Sequence, residues 1–368
     1  MDESAALKPE DAHNDRLRQN AAPADWKNPR PEGTYNLVVI GGGTAGLVAA
    51  LGAAGLGARV ALVERRLLGG DCLNFGCVPS KALIRAGRAA AAVRQAGRFG
   101  IDVPDGMQVR FADVMQRVRR LRAEISHHDS AARCRDAGID VYLGQARFNS
   151  RDSVLVDGRS LSFSKALIAT GSRPKAPPID GLEQVDYLTN ESVFSLTKLP
   201  PRLGVIGAGP IGCELGQTFA RLGADVVMVE TRHGILAKED ADCSDVVRTA
   251  MERDGVKLLC CGRNMRVDDA DDGIRLQLES HGQACDEVVD RLLVAAGRAP
   301  NVDALDLDVA DVDSGADGVI VDDRLRTSNH DIFAAGDVCT HYKFTHAADF
   351  MARMVLQNAL FMGHSKMS

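Results

Sequence analysis

LVVIGGGTAGLVAALGAAGLGARVALVE, Leu37 to Glu64, holds in order a short apolar run, a glycine cluster, a helical stretch of small residues and a second apolar run ending in an acid. That order reads as strand, tight turn, helix, strand. LGVIGAGPIGCELGQTFARLGADVVMVE, Leu203 to Glu230, repeats it 166 residues later without a gap, with 13 of 28 aligned positions identical. An offset this long marks a domain-sized duplication of a nucleotide-binding unit, because solenoids repeat every ~20–50 residues. The expected fold class is α/β, with two Rossmann-like dinucleotide-binding domains.

Each copy carries the glycine spacing that such a unit needs. In the first, Gly41-x-Gly43-x-x-Gly46 follows the strand and opens the helix through Thr44 and Ala45, and Glu64 ends the next strand. The first glycine permits the tight turn, the second lets a pyrophosphate reach the backbone, and the third lets helix and strand pack closely. The helix N-terminus then offers N–H groups to the phosphate, and Glu64 would accept hydrogen bonds from ribose hydroxyls. Gly207, Gly209, Gly212 and Glu230 repeat the set. A carboxylate at Glu230 suits free ribose hydroxyls and predicts NADH, while Arg232, two residues on, is placed to receive the 2′-phosphate of NADPH.

Composition narrows the class from another side. A chain of 368 residues is long enough for two or three domains, and 45% hydrophobic with 26% charged residues is the balance of a globular core. A net charge of −6 with 4% aromatic residues argues against a nucleic-acid partner, which needs a basic field and stacking rings. The amino terminus, MDESAALKPEDAHND, lacks the basic-then-apolar order of a secretory signal, which predicts a cytoplasmic protein. No membrane span is expected either: Gly41 to Ala58 is uncharged but mostly Gly and Ala, and Arg59 and Glu64 cut it off.

Residues 1–34 are polar, with Pro9, Pro23, Pro29 and Pro31 around Trp26, and read as an extended arm on the surface. Val93 to Gln145 reads as helical and charged, His127 and His128 being a solvated face, with short strands following through Ala169. SRPKAPPIDG, Ser172 to Gly181, and GRAPN, Gly297 to Asn301, mark crossings between domains.

Nine cysteines, an odd number, without an export signal do not form a structural disulfide framework. In GGDCLNFGCVPSK, Gly69 to Lys81, Cys72 and Cys77 would be rotated by about 140° and separated by about 7.5 Å along a regular helix. A bridge therefore needs an irregular turn, which Asn74, Gly76 and Pro79 can supply, and a strained accessible disulfide is the reducible, catalytic kind. The alternative, a metal-ligand pair, lacks two further ligands at similar spacing, so no metal site is expected. Cys260 and Cys261, adjacent in an expected strand, and Cys134, Cys213, Cys243, Cys285 and Cys339 read as small buried apolar residues.

Two fingerprints with GGDCLNFGCVPSK just after the first resemble the flavin-dependent pyridine nucleotide–disulfide oxidoreductases, over Tyr35 to Phe361. ALIATGSRP, Ala166 to Pro174, resembles the family's segment beside the first nucleotide site, and TSNHDIFAAGDV, Thr327 to Val338, its late flavin-binding strand. Ser80-Lys81 resembles the lipoamide and mercuric branches rather than the glutathione branch. The arm and FTHAADFMARMVLQNALF, Phe344 to Phe361, are most similar to the mercuric-reductase-like group.

The resemblance implies FAD and NADH or NADPH as cofactors, and a small-molecule disulfide or soft metal ion as substrate. Cys72 would be the interchange thiol and Cys77 the thiolate on the flavin, with Lys81 near the ring and paired with Glu214. Gly41, Gly43, Thr44, Ala45, Gly46, Glu64, Gly70, Lys81, Thr170, Gly171, Gly336, Asp337, His346 and Ala347 would hold FAD, Asp337 at the ribityl chain. Gly207, Gly209, Gly212, Glu230 and Gly297 would hold NAD(P)H. The FAD domain would be discontinuous: an arm at 1–34, FAD-binding residues 35–184, NAD(P)-binding residues 185–302, and FAD-binding residues 303–368.

Full-length members of the family are homodimers whose C-terminal domain supplies a His–Glu pair to the partner's site. That domain is expected to be absent here, the chain ending at Ser368 as a fragment or a premature stop, or as a natural truncation with altered activity. Two other readings remain open: a direct NADH:acceptor reductase (diaphorase) using flavin alone, and a flavin-binding remnant that does not turn over.

Overall fold

Both copies of the repeated unit build a parallel sheet with the same strand order. In the first, Ile139–Leu143, Val60–Glu64, Tyr35–Ile40 and Arg159–Ile168 lie side by side, and Ile332–Ala334 returns from late in the chain to pair with Arg159–Ile168. In the second, the order is Val256–Leu259, Asp225–Val229, Arg202–Ile206, Arg291–Val294 and Tyr187–Leu188. This is the doubly wound nucleotide-binding arrangement, with the fingerprint at the end of the central strand. The computed structural model describes residues 7–361 and 363–368.

The duplication extends past the fingerprints. Between its third and fourth parallel strands each unit inserts an antiparallel meander. In the second unit this is Arg263–Ala270, Gly273–Ser280 and Gln283–Val289. In the first it is Ala146–Ser150, Ser153–Val156 and the early half of Arg159–Ile168, whose later half is the fourth parallel strand.

The unbroken apolar runs follow from burial on both faces of the first sheet. Leu37, Val39, Val60 and Leu62 face one core, against helices Thr44–Gly55 and Thr345–Leu360. Val38, Ile40, Ala61 and Val63 face another, shared with the meander residues Phe148, Val154 and Leu161. A third core lies under the second unit, where helix Cys77–Arg94 packs Ala82 and Leu83 with Leu215 and Phe219 of helix Pro210–Leu222. The two crossing segments meet as an antiparallel ribbon, Ser172–Pro174 with Arg298–Pro300.

Several expectations change. The amino-terminal arm is not wholly extended: Ala12–Ala21 is a helix with Leu17 and Ala21 fully buried. Asp11 caps it, accepting from the N–H groups of His13 and Asn14, and pairs at 2.5 Å with Arg119 of helix Phe111–Ile125. The prolines bracket this helix rather than running through it. Residues 1–6 of the arm lie outside the described residues. His127 and His128 are exposed, in a short turn of 3₁₀ helix.

Among the cysteines read as buried filler, Cys134 and Cys213 are buried, Cys285 and Cys339 are half-buried and Cys243 is exposed. Cys243 fails the expectation because it sits in the first turn of helix Ala241–Arg253, of which only Met251 is buried. Cys260 and Cys261 lie past the end of strand Val256–Leu259 and are half-buried, not core residues.

Candidate functional site

The two fingerprints are steric copies of one another. Gly41 and Gly207 adopt φ 109° and 101°, where a side chain is strained. A Cβ on Gly46 would lie 1.7 Å from the Gly41 carbonyl oxygen, and one on Gly212 would lie 1.9 Å from that of Gly207. Helix and turn therefore touch where only hydrogen fits. The middle glycines face the other way: a Cβ at Gly209 would meet nothing within 4 Å, and one at Gly43 only the Cα of Gly70 at 3.7 Å. No side chain caps either helix at Gly43 or Gly209. Bare N–H groups facing open space form an anion cradle that fits a pyrophosphate.

Each acid at the end of the second strand clamps its own cradle by matching bonds. Glu64 accepts from the N–H groups of Gly42 and Arg66, both at 2.7 Å. Glu230 accepts from those of Ala208 and Arg232, at 2.9 and 3.0 Å. Burial pushes the Glu64 carboxyl above the usual carboxylate range, against these N–H groups, which favour its charge. A cavity of about 50 Å³ lies between Glu64, Gly41, Gly144, Gln145, Thr170 and Asn301.

The surrounding segments close on the first cradle. Gly70 sits so near Gly43 that a Cβ would come within 2.6 Å of its Cα, and Gly336 lies between Ala45 and Ala348. Thr170 and Asn301 bond each other twice, Oγ1 to carbonyl at 2.7 Å and Nδ2 to carbonyl at 2.9 Å, while the Asn301 N–H donates to the Gly171 carbonyl. Asp337 accepts from the Ser172 hydroxyl at 2.6 Å. Ala347 lies in the first turn of helix Thr345–Leu360; His346 beside it is exposed, its ring stacked on Phe344. Gly297 belongs to the other side, between strand Arg291–Val294 and the crossing ribbon.

Cys72 and Cys77 lie across a helix break. Gly70–Asn74 is a single turn, Phe75 and Gly76 leave helical geometry, and Cys77 starts the long helix Cys77–Arg94. The break turns the two thiols toward one another, so that a protonated Cys72 can donate a bond to the Cys77 sulfur, which a continuous helix would prevent. Sharing that bond lowers the Cys77 thiol to about 6, with the Thr345 hydroxyl and the Lys81 charge adding to the effect against burial. The same bond, followed by burial, raises Cys72. One thiolate at the helix N-terminus and one protonated neighbour is the arrangement of a poised dithiol. Lys81 Nζ, one turn along, lies 2.7 Å from Glu214 Oε1 on helix Pro210–Leu222, so this pair joins helix Cys77–Arg94 to the second cradle's helix.

The match to known proteins decides the family. The sequence signature described as "Pyridine nucleotide-disulphide oxidoreductase" covers residues 35–352. The chain belongs to that family. The chain is 36% identical to a mercuric reductase of Lysinibacillus sphaericus over 332 residues, 89% of this chain and 60% of that one. It is 37% identical over 326 residues to dihydrolipoyl dehydrogenase 2 of Haloarcula marismortui, 85% of this chain and 67% of that one. The Cu(II) complex of the HOCl-induced flavoprotein disulfide reductase RclA from Escherichia coli superposes with a TM-score of 0.77 at 29% identity, covering 90% of this chain and 72% of that one. Of the first mercuric reductases it matches, the chain spans 52–61% of their length. FAD and NAD(P)H are the cofactors that membership implies, and the two cradles fit them. Among the described residues no helix is long and apolar enough to cross a membrane.

Three further side chains surround the segment that carries Cys72 and Cys77. Thr345 Oγ1 lies 3.2 Å from Cys77 Sγ. Arg298 pairs with Asp71, beside Cys72, and bonds Ser172 through Nε at 2.7 Å, stapling the crossing ribbon to the Gly70–Asn74 turn. Arg66 grips Glu191 with two nitrogens. Each links positions more than a hundred residues apart, which no local pattern reports.

Proposed function

We propose that this chain takes electrons from NAD(P)H through FAD to a Cys72–Cys77 disulfide, and that the resulting dithiol reduces a small-molecule disulfide or a soft metal ion such as Hg(II). The observation that carries this reading is the poised thiol pair at the helix break, tied through Lys81–Glu214 to the second cradle and lying close to the first. Residues 35–184 and 303–368 would form the FAD-binding domain and 185–302 the NAD(P)-binding domain, in keeping with the return of Ile332–Ala334 to the first sheet.

The bound flavin supplies the relay of two electrons from the nicotinamide hydride to the sulfurs. Cys77, the more acidic thiol, would be the one on the flavin side, and Cys72 would attack the acceptor. With a disulfide substrate, two electrons break one S–S bond, two thiols leave, and the Cys72–Cys77 bond re-forms. With Hg(II), the same two electrons give Hg(0). Cys72, then Thr345 and the Lys81 charge, favour the Cys77 thiolate, and Glu214 holds Lys81. Glu230 favours NADH, because its carboxylate repels a 2′-phosphate. A dithiol working in cycles suits a reducing cytoplasm.

Anaerobic titration of the flavin-loaded chain with NADH tests the proposal. A long-wavelength thiolate-to-flavin absorption band that disappears in Cys77→Ser supports it. Flavin bleaching without the band indicates direct transfer to an acceptor, and no reduction indicates a binding remnant; either outcome overturns the disulfide route.

A further inference from the structure

Beside Glu230, three loops of the second unit bring two cysteines and two histidines together. Strand Val256–Leu259 ends one residue before Cys260, and Cys261 takes φ 55°, so sulfurs that a strand would send to opposite faces turn to one side. His233, in the loop after strand Asp225–Val229, places Nδ1 3.5 Å from Cys261 Sγ. His281 places Nε2 3.1 Å from Cys260 Sγ. The donor atoms of His233, Cys260 and Cys261 all lie within 4.8 Å of one another.

The position of His281 is itself unusual. It is the first residue of the two-residue hairpin between Gly273–Ser280 and Gln283–Val289, where His281 and Gly282 adopt φ 50° and 78°. Such turns favour Asn-Gly, because most side chains avoid that backbone region. Two of the four donor residues thus hold left-handed backbone, and the imidazole rings stand at 88° with centroids 6.1 Å apart.

We propose that Cys260, Cys261 and His233, with His281 as fourth ligand, bind a thiophilic divalent cation of the zinc class. Two thiolates and the His233 imidazole, completed by the His281 imidazole beside Cys260, are the donors of a tetrahedral site for a soft or borderline d¹⁰ ion, and the grouped donors include no carboxylate that would favour Mg(II) or Ca(II). Zinc bonds of about 2.3 Å to sulfur and about 2.0–2.1 Å to nitrogen place neighbouring donors roughly 3.3–3.8 Å apart. The two Cys–His contacts, at 3.5 and 3.1 Å, lie within a few tenths of an ångström of that spacing, and the wider separations, up to 4.8 Å among His233, Cys260 and Cys261, would close by about an ångström on binding. His281 is exposed at a hairpin tip and free to complete the set. Binding changes no oxidation state: both thiols lose their protons to solvent, and two metal–sulfur and two metal–nitrogen bonds form.

The ion would tie together the loops that carry the second cradle's acid. Cys261 N–H donates to the Arg232 carbonyl and Gly262 N–H to that of Glu230, both at 2.9 Å, and Leu236 N–H donates to that of Ala208 at 2.9 Å. The site uses neither Cys72 nor Cys77, so it can be tested without them.

The test uses the full chain carrying Cys72→Ser and Cys77→Ser, which removes the competing dithiol, reduced with a phosphine. Cd(II) is titrated by its thiolate absorption and Zn(II) by competition with a colorimetric chelator. The expected result is one ion per chain and a Cd(II)–thiolate band that vanishes on adding Cys260→Ser and Cys261→Ser. His233→Ala should weaken Zn(II) binding by at least the roughly 10–100-fold that loss of even an outer-shell partner costs. Flavin retention and the thermal melt report whether each variant folds. A band that survives Cys260→Ser/Cys261→Ser, or a folded, fully reduced parent that binds no ion, overturns the proposal.

Discussion

Cys77 Sγ and Thr345 Oγ1 lie 3.2 Å apart, although 268 residues separate them in the chain. The contact joins the first residue of helix Cys77–Arg94 to the first residue of helix Thr345–Leu360, so the thiol is tuned by a segment that returns from the far end of the fold. A hydroxyl donating to the thiolate stabilises the charged form.

Thr345→Val should therefore raise the Cys77 pKa and move the acid limb of the pH–rate profile to higher pH. A lost hydrogen bond of about 0.5–1.5 kcal/mol corresponds to a fall of about 2–10-fold in rate near pH 6, vanishing at alkaline pH where the thiol ionises unaided. Thr345→Ser keeps the donor and should keep the profile. Iodoacetamide labelling of the reduced protein across pH measures the shift directly; an unmoved profile in Thr345→Val removes Thr345 from the site.

Lys81 and Glu214 form an ion pair with side chains 59% and 42% exposed, so its contribution to stability is small. Lys81→Met and Glu214→Gln should each change unfolding free energy by no more than about 1 kcal/mol. Lys81→Met should nonetheless raise the Cys77 pKa, because the lysine charge favours the thiolate. A thermal melt paired with pH-dependent alkylation separates the two effects; a large loss of stability with unaltered alkylation would assign the pair a structural role instead.

Gly46→Ala and Gly212→Ala introduce the same clash, at 1.7 and 1.9 Å from a carbonyl oxygen, in two different units. Overpacking of this kind costs about 1–3 kcal/mol or more. Gly46→Ala should purify with little or no flavin. Gly212→Ala should keep its flavin spectrum but require far more NADH for reduction. Identical behaviour of the two variants in absorbance and NADH titration would contradict a division of nucleotides between the cradles.

Asp11 ties the amino-terminal helix to Arg119. Burial pushes its carboxyl upward, but the Asn14 N–H and Arg119 outweigh it and leave the pKa below the ordinary value. A depressed carboxylate contributes stability that is full above its unfolded pKa and lost as pH falls through the folded one. Acidification below about pH 4 should release this helix before the sheets unfold. The single tryptophan, Trp26, donates through Nε1 to the Val141 carbonyl at 3.1 Å and reports the event by fluorescence. Asp11→Ala should cost about 0.5–2 kcal/mol at neutral pH, and its acid transition below pH 4 should flatten.

The α/β fold class and the repeat of its nucleotide-binding unit were legible in the sequence by itself. The reason is local: a strand, a turn that admits only hydrogen at Gly46 or Gly212, and a helix lie within thirty residues, and sterics write that constraint into composition. The break between Cys72 and Cys77 was legible for the same reason, because helix geometry forbids their contact without it. Tertiary structure alone decided that the amino-terminal segment packs as a helix on Phe111–Ile125, that Thr345 reaches Cys77, that Arg298 anchors Asp71, and that His233 and His281 meet Cys260 and Cys261. Those pairings come from how sheets and helices stack. Two side chains distant in sequence carry no shared pattern, so their contact exists only once the surfaces between them are buried.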